Sequence, residues 1–324
     1  MKHLKLLIKF VQSLNKMNHF INLKDIPAKD LRRILIDAKK RKKARKKLNN
    51  LDPDKETPLK GKLLIQMFEK SSLRTRLSFF LAISQLSGRT LTLRPDELHL
   101  SKGGESIEDT AKILSNFGDA FILRTNSDEK LEEFKKYLTI PIINGLSPSS
   151  HPTQILSDVF TVEEIKKKPI SKLNITWVGD TNNVLNSLIA ASIKFSFKLK
   201  VGCPKKYQPN KSIMNYIKKN KNKITIYDDP IKAVDGADVI FSDKVISMND
   251  KVNKKKKLRD FKNFKISKSL MKKCPRAIFL HCLPRGSEVD ENVFKSKQSK
   301  VWLQALNRVH VQKSILLYCL GKLR

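Results

Sequence analysis

The chain has few cysteines, and their spacing gives them no evident structural role. Its four cysteines, Cys203, Cys274, Cys282 and Cys319, include no CxxC pair. Zinc ribbons and small disulfide-rich domains depend on such spacings, so the sequence predicts no metal site and no disulfide framework. Unpaired thiols are typical of a reducing compartment, and we expect the protein to be cytoplasmic.

Long apolar runs are also missing. No stretch approaches the roughly 20 apolar residues of a membrane-spanning helix, so we expect no membrane partner. Residues 1–16 are apolar with interspersed lysines, but they lack a long uninterrupted apolar region and a small-residue cleavage site. A secretory signal therefore does not fit, and the scarcity of Arg and Ser argues against an organelle transit peptide.

Acidic residues are scarce. The chain has 31 Asp and Glu against 66 Lys and Arg, which gives a net charge of +35. Such charge suggests nucleic-acid binding. However, the lysines are spread over the whole chain, and zinc-finger spacing, an aromatic-rich binding strand and an arginine-rich tail are all missing. We therefore keep nucleic-acid binding only as an alternative. Attraction of an anionic substrate or a general lysine bias explains the charge equally well.

What is present is an alternation of short apolar runs with helical patterns, over a length suited to two domains. This alternation predicts parallel sheets with crossover helices. We predict an α/β fold of two doubly wound parallel-sheet domains, the second Rossmann-like, with a C-terminal helix over 306–320 that packs back on the first domain. A Lys-rich stretch ending at Pro169 predicts the boundary between domains 17–168 and 169–324. A basic helix is predicted over 28–48. The predicted strands are 63–68, 88–93, 120–123, 141–144, 173–178, 224–227, 239–241 and 277–280.

Residues 68–79 predict an anion-binding loop. The apolar run 63–68 predicts a strand, and the residues from Leu77 onward have helical spacing, so Ser71 or Ser72 is a natural N-cap. A helix N-terminus presents unpaired backbone N–H groups to a phosphate. Arg74 and Arg76 point in nearly opposite directions on a helix. We expect one to hold a ligand and the other to hold structure or a neighbouring chain.

Several other polar residues follow predicted strands. Active sites in open α/β sheets lie at the carboxyl ends of strands, so these residues are candidates for one site. Taken singly, each fits an ordinary turn or surface residue. The candidates are Ser72, Arg124, Asp180, Asp243 and His281.

In this order the motifs resemble those of the aspartate and ornithine carbamoyltransferases, from about Met17 to Arg324. Residues 72–76 resemble the family's Ser-Thr-Arg-Thr-Arg phosphate loop, and residues 151–154 its His-Pro-Thr-Gln segment. The resemblance implies Arg124, His151 and Cys282 as catalytic residues. It implies carbamoyl-phosphate binding by Ser72, Leu73, Arg74, Thr75, Arg124, His151, Gln154, Cys282, Leu283 and Arg308.

The second half resembles the ornithine subclass more than the aspartate subclass. The His-Cys-Leu-Pro motif at 281–284 is ornithine-like, whereas aspartate enzymes have Pro at the Cys position. Residues 307–310 resemble the ornithine-type C-terminal segment. The resemblance implies ornithine binding by Asn183, Asp243, Ser247 and Met248.

The chain also departs from the ornithine pattern. Leu73 replaces a usual Thr, Asn249 replaces a Gly, and the loop after Pro284 is two residues shorter, as in the aspartate type. The resemblance implies that His99 or Lys102 reaches the active site of a neighbouring subunit.

The resemblance implies transfer of the carbamoyl group of carbamoyl phosphate to the δ-amine of L-ornithine, giving L-citrulline and phosphate, as in arginine biosynthesis. It implies a homotrimer that needs no cofactor and no metal. The alternatives are an aspartate or other amine carbamoyltransferase and, from another class, a basic nucleic-acid-binding protein on the same scaffold.

Overall fold

A computed structural model describes residues 17–94, 104–220, 223–246 and 253–323. In these residues two parallel β-sheets are flanked by helices, so the predicted α/β class is confirmed. Among the same residues, no helix has the length and apolar character needed to cross a membrane.

The first sheet has four parallel strands in the order β2-β1-β3-β4. Phe20 adds a parallel bridge to Ile143 beside β4. The core under this sheet contains Phe121 and Phe134, whose ring centroids lie 5.3 Å apart. The elements are α1 (Ala28–Ala44), β1 (Leu63–Phe68), α2 (Leu73–Gln85), β2 (Arg89–Leu93), α3 (Ile107–Phe117), β3 (Ala120–Arg124), α4 (Asp128–Tyr137), β4 (Ile142–Leu146) and α5 (Pro152–Lys166).

The second sheet has five parallel strands in the order β7-β6-β5-β8-β9, which is a doubly wound, Rossmann-like arrangement. Its core includes Phe261, Phe279 and Phe294. The elements are β5 (Asn174–Val178), α6 (Asn183–Phe195), β6 (Lys198–Gly202), α7 (Lys211–Lys219), β7 (Ile224–Tyr227), α8 (Pro230–Val234), β8 (Val239–Ser242), α9 (Lys254–Asp260), α10 (Lys268–Lys272), β9 (Ile278–His281), α11 (Glu291–Phe294) and α12 (Val301–Cys319).

The described residues form two compact units. The first runs to Thr153 and also includes the chain from Arg308 onward, and the second is Gln154–Asn307. The C-terminal part of α12 thus belongs to the first unit. The compact units divide inside α5, and the functional boundary after Lys168 stays a prediction.

Some elements differ from the sequence prediction. The helix predicted over 28–48 ends at Ala44, because Arg45 turns its guanidinium to the carbonyl oxygens of Asn49 and Asp52. Strand β6 was not predicted, although its alternation of lysines with apolar residues is typical of a strand, and it pairs with β5 and β7. Helix α12 begins at Val301, five residues before the predicted start at 306.

Each sheet has a point where the strand order reverses, and ligands in such folds bind there, outside the strand ends. In the first sheet this point lies between β1 and β3, where Phe68 pairs with Arg124. In the second sheet it lies between β5 and β8. The topology therefore directs attention to the loops after these four strands.

Candidate active site

The predicted phosphate loop runs from the end of β1 into α2. Ser72 is the N-cap residue of α2, as the sequence predicts, although its side chain makes no capping hydrogen bond. The Ser72 hydroxyl therefore does not occupy the first-turn N–H groups of α2. These N–H groups and the positive end of the helix dipole suit an anion. The Leu73 side chain is 68% exposed.

The two arginines of the loop have different environments, as their spacing predicts. Arg76 is exposed, whereas Arg74 is half-buried. Thr75, between them, is buried and accepts a hydrogen bond from Arg308 Nη2 at 2.7 Å. Arg308 is itself buried in α12. The C-terminal helix thus brings a second guanidinium to the phosphate loop.

His151 lies at the start of α5, buried among these cations. Burial lowers the pKa of His151 well below its usual value, and the charges of Arg308, Arg124 and Arg74 act in the same direction. The imidazole is therefore neutral at physiological pH. A neutral ring can donate one hydrogen bond to a polarised oxygen without adding a fourth positive charge.

Glu69, which follows β1, has its hydrogen-bond partners in the loop after β3 and in α4. Glu69 accepts hydrogen bonds from Thr125 Oγ1 at 2.6 Å and Asn126 N at 3.1 Å, and it pairs with Lys130. Burial raises the pKa of Glu69, but these bonds outweigh that effect and the net shift is downward. The carboxylate therefore stays ionised and is compensated by Lys130.

In the second unit, Asp243 follows β8 and is held on both sides. Asn182 Nδ2 donates to Asp243 Oδ2 at 2.8 Å, and Cys282 Sγ donates to Asp243 Oδ1 at 3.0 Å. Asn182 also caps α6, because its Oδ1 accepts from the N–H groups of Val184 and Leu185. The ends of β5, β8 and β9 thus meet at one carboxylate.

Asn183, predicted to bind the second substrate, is the first residue of α6 and is half-buried. Ser247 and Met248 lie outside the described residues, as do Asn249, His99 and Lys102. Of the predicted ornithine-binding residues, the structure describes Asn183 and Asp243. Asp243 contacts Asn182, the residue that precedes Asn183.

A buried ion pair supports the turn before Asn183. Lys257 Nζ lies 2.6 Å from Asp180 Oδ2, and both residues are buried. Lys257 reaches Asp180 from α9, while the Asp180 carbonyl accepts a hydrogen bond from Trp177 Nε1. Charges removed from water need such a partner, so this pair fixes the turn against α9.

The backbone of the His-Cys-Leu-Pro motif at the end of β9 is fixed by the side chain of His281. His281 Nδ1 accepts from Leu283 N at 2.9 Å, so Nε2 carries the proton and donates to Glu288 Oε1 at 3.0 Å. This assigns the tautomer from the hydrogen-bond network. Leu283 has φ 57°, a conformation that is costly for a branched residue and persists only where its surroundings enforce it. Here they enforce it next to Cys282.

Gln154 is buried in the first turn of α5 and belongs to a polar network. Its Nε2 donates to Asp158 Oδ1 at 2.8 Å, and Gln304 Nε2 donates to the same oxygen at 2.9 Å. Gln304 Oε1 in turn accepts from His281 N at 2.9 Å. The network connects α5 and α12 to the end of β9.

Three residues that support the candidate site are not among the site residues predicted from the sequence. Asn182 is adjacent to the predicted Asn183, so its type and position could have identified it. Lys257 carried no signal, because it is one of four consecutive lysines and only the fold buries it. Gln304 likewise reaches His281 only through the packing of α12.

The arrangement suits polar chemistry on an anion. One unit gathers three guanidinium groups, a neutral imidazole and a helix N-terminus, and the other gathers a carboxylate with an amide and a thiol. Among the described residues no cluster of three or more His, Cys, Asp or Glu could hold a metal ion.

Two family models match the chain. Residues 18–164 match the carbamoyl-P binding domain of aspartate/ornithine carbamoyltransferase. Residues 171–319 match the Asp/Orn binding domain of the same family. Together they span both sheets and both sets of candidate residues.

Individual proteins agree with these matches. The chain is 40% identical over 306 residues to the ornithine carbamoyltransferase of Agrobacterium fabrum, covering 94% of this chain and 98% of the relative. It is 41% identical over 300 residues to that of Methanocorpusculum labreanum, covering 92% and 96%. The solved structure of the Pyrococcus furiosus ornithine carbamoyltransferase has a TM-score of 0.87 at 37% identity, covering 94% of this chain and 97% of that one. The chain belongs to the aspartate/ornithine carbamoyltransferase family.

Proposed function

We propose that this carbamoyltransferase transfers the carbamoyl group of carbamoyl phosphate to the δ-amine of L-ornithine, giving L-citrulline and phosphate. The observation that carries the choice of an amino-acid substrate is the Asp243 carboxylate, held by Asn182 and by the Cys282 thiol. A half-buried carboxylate between two neutral groups suits the α-ammonium of an amino acid, and the partnered Arg285 described below favours ornithine over aspartate.

Carbamoyl phosphate is assigned to the cationic groups. The N-terminus of α2 with Ser72, Leu73, Arg74 and Thr75 binds the phosphate and makes it a better leaving group. Arg124 and the neutral His151 donate to the carbonyl oxygen as it gains negative charge. Preorganised donors of this kind are each worth about 3 kcal/mol in the transition state. Further contacts to carbamoyl phosphate are assigned to Gln154, Cys282, Leu283 and Arg308.

The second substrate is assigned to Asn183 and Asp243, with Ser247 and Met248 as further contacts. The attacking δ-amine must lose a proton, because a free alkyl ammonium has a pKa near 10.4. The cations that hold the phosphate disfavour a positive charge on the amine. The departing phosphate accepts the proton that the amine loses as the new C–N bond forms and the C–O bond to phosphate breaks.

Arg285 provides the contrast with aspartate. An aspartate substrate carries a second carboxylate, which needs a cation. Arg285 pairs with Glu291 and lies over the Phe294 ring, with its guanidinium carbon 4.1 Å from the ring centroid. Hydrogen bonds from Arg285 and Lys295 lower the pKa of Glu291 to about 2, so Glu291 stays ionised. The guanidinium is thus already partnered, which favours ornithine.

Incubation of the purified protein with carbamoyl phosphate and either amine tests the proposal. We expect citrulline from ornithine and little carbamoyl-aspartate from aspartate. A larger kcat/KM with aspartate would reverse the assignment. Absence of product from both amines, together with salt-dependent RNA binding, would favour the nucleic-acid alternative.

We also propose that the chain acts as a homotrimer in the cytoplasm and serves arginine biosynthesis, with carbamoyl phosphate bound by residues 17–168 and ornithine by 169–324. An apolar face of α2 supports self-association: Leu73, Leu77 and Phe80 are 68%, 52% and 42% exposed. They recur at i, i+4 and i+7, so they share one side of the helix.

Light scattering after size-exclusion chromatography tests the assembly. We expect the mass of a trimer for the wild type and a smaller mass for Leu77→Asp. Ile36→Asp on α1, at a site 49% exposed, is the matched control and should remain trimeric. A wild-type monomer, or equal effects of both substitutions, would contradict the proposal.

A further inference from the structure

A cavity of about 1010 Å³ opens in the first unit, between the C-terminal half of α1, residues 54–58 and the segment after α12 at Gly321 and Lys322. None of the residues assigned above to either substrate lines it. Its walls carry mostly charged side chains. These are Asp37, Lys40, Arg41, Arg45, Asp54, Lys55, Glu56 and Lys322.

Buried charges form the deepest part of this region. Lys313 is fully buried, and its Nζ lies 3.0 Å from both oxygens of Asp54. Arg45 is 7% exposed, and its Nη1 donates to Asp54 Oδ1 at 2.7 Å. One buried carboxylate is therefore shared by two buried cations.

Arg41 adds a third cation. Its Nε donates to Asp37 Oδ2 at 2.9 Å, and the same oxygen accepts from Ser314 Oγ at 2.6 Å. Its outer nitrogens have weaker partners: Nη1 is 3.5 Å from Asp54, and Nη2 is 3.8 Å from Glu56, whose side chain is 72% exposed. Inside the protein three cations thus share two carboxylates, with the exposed Glu56 at 3.8 Å as a further partner, and the incompletely compensated excess charge lies on the guanidinium edge that lines the cavity.

The pKa of Lys313 agrees with this excess. Burial lowers it to about 8, even though Asp54 opposes the shift, and the charges of Arg45 and Arg41 contribute to the lowering. A bound anion would offset that repulsion.

The rim supplies further positive charge. Lys40, Lys55 and Lys322 line the cavity and are exposed. Among the described residues, none of their ammonium groups has an ion pair or hydrogen bond. Since Asp37 is engaged by the half-buried Arg41 and Asp54 by the buried Arg45 and Lys313, Glu56 is the lining carboxylate that remains to oppose these lysines.

We propose that this cavity binds a small molecule carrying at least two phosphate groups, at a site separate from that of the substrates. A guanidinium edge matches phosphate oxygens in a bidentate manner, and lysines act as mobile point charges around further phosphates. A singly charged anion would satisfy Arg41 and leave the three lysines without a counter-charge. The volume is at the upper end for sites that enclose small ligands, about 300–1,000 Å³.

Calorimetric titration of the intact protein with tripolyphosphate, at fixed ionic strength, tests the site. The cavity variant is Lys40→Gln/Lys55→Gln/Lys322→Gln. The control is Lys39→Gln/Lys43→Gln/Lys47→Gln, which removes three exposed lysines that do not line the cavity. Both variants lose the same charge, so a difference between them reports the cavity. The wild type and both variants keep the same active site, so any binding of tripolyphosphate there contributes equally to all three titrations.

We expect one class of tripolyphosphate site to weaken by about tenfold in the cavity variant, because several exposed charge contacts of a few tenths of a kcal/mol each are lost. The control should stay within about twofold of the wild type. ATP should bind at least as tightly as tripolyphosphate, and inorganic phosphate more weakly. Equal weakening in both variants, an unaffected cavity variant, or equal affinity for inorganic phosphate would overturn the proposal.

Discussion

At the scale of single residues, charge states depend on neighbours more than on residue type. His151 and His281 are both buried histidines, yet they are used differently. His281 is fixed by Leu283 N and Glu288, whereas His151 lies among three guanidinium groups. The His281 ring holds a backbone turn, and the His151 ring remains neutral beside the proposed carbamoyl group.

The neutrality of His151 gives a first prediction. Because the folded protein holds the ring neutral, an NMR titration from pH 8 to pH 6 should show no protonation of His151. The stability due to this shift is present above the usual histidine pKa of 6.5 and is lost as the pH falls below it. His151→Ala should lower kcat by about 100-fold, because one preorganised donor is lost. A titration midpoint at or above 6.5 would contradict this account.

Asp243 gives a second prediction at this scale. Asp243→Asn keeps the shape of the side chain but removes the charge that we assign to the substrate ammonium. We expect the KM for ornithine to rise by about tenfold or more, and the KM for carbamoyl phosphate to change little. Steady-state kinetics with each substrate varied in turn measures both.

Asp235→Asn is the matched control for that substitution, since Asp235 is exposed and lies in the same unit. It should leave both KM values unchanged. An equal rise in the two KM values of the Asp243 variant would mean general damage to the site rather than loss of an ammonium contact.

At the scale of elements, loops at the switch points are held by groups from distant elements. Arg308 in α12 binds Thr75 in α2, and Lys257 in α9 binds Asp180 after β5. The strands place these loops side by side, but the exposed backbone of a turn needs such side chains to fix it. The supporting helices therefore belong to the candidate site as much as the strands do.

Lys257 gives the third prediction. Lys257→Met leaves Asp180 buried without its cation, which costs about 3 kcal/mol in the free energy of unfolding. Because Asp180 begins the turn that carries Asn183, we expect the KM for ornithine to rise more than the KM for carbamoyl phosphate. Lys257→Arg should recover most of the ornithine KM.

The control for this element is Lys255→Met, which removes an exposed lysine from the same helix. It should change neither stability nor kinetics. If Lys257→Met destabilises the protein while both KM values stay equal to those of the wild type, the pair is structural and does not position the turn.

At the scale of the whole molecule, the net charge of +35 is the dominant electrostatic fact. Self-repulsion at such a charge opposes the compact state, and the same field attracts anionic substrates. Inside the protein, the buried carboxylate of Asp54 is shared by Lys313 and Arg45, and that of Asp180 is paired with Lys257. These buried cations are thus compensated locally.

Salt dependence gives the fourth prediction. Raising NaCl from 20 to 200 mM shortens the Debye length to below 10 Å, so the melting temperature should rise by a few degrees. The KM for carbamoyl phosphate should increase over the same range, since attraction of the anion is screened. KCl at equal ionic strength should act identically, and a falling melting temperature would show that self-repulsion is not limiting.

Most of the architecture follows from local signals. The apolar runs at 63–68 and 224–227 are strands with those same bounds, and Ser72 and Arg124 lie at the strand ends that their positions predicted. Where a local signal competes with a tertiary contact, the sequence is a poor guide. Helix α1, for example, stops early because Arg45 binds the following loop. Strand β6 was missed for another reason, since its alternation of lysines with apolar residues is itself a local strand signal.

The sequence by itself determined the fold class, the strand-to-helix turn at Ser72 and the order of the chemical groups, because backbone propensities and strand ends are encoded within a few residues. Only the tertiary structure decided which groups are partnered. It made His151 neutral, placed Asn182 and Cys282 on Asp243, and selected Lys257 from four consecutive lysines. Burial and charge pairing depend on residues far apart in the chain, and no local pattern records them.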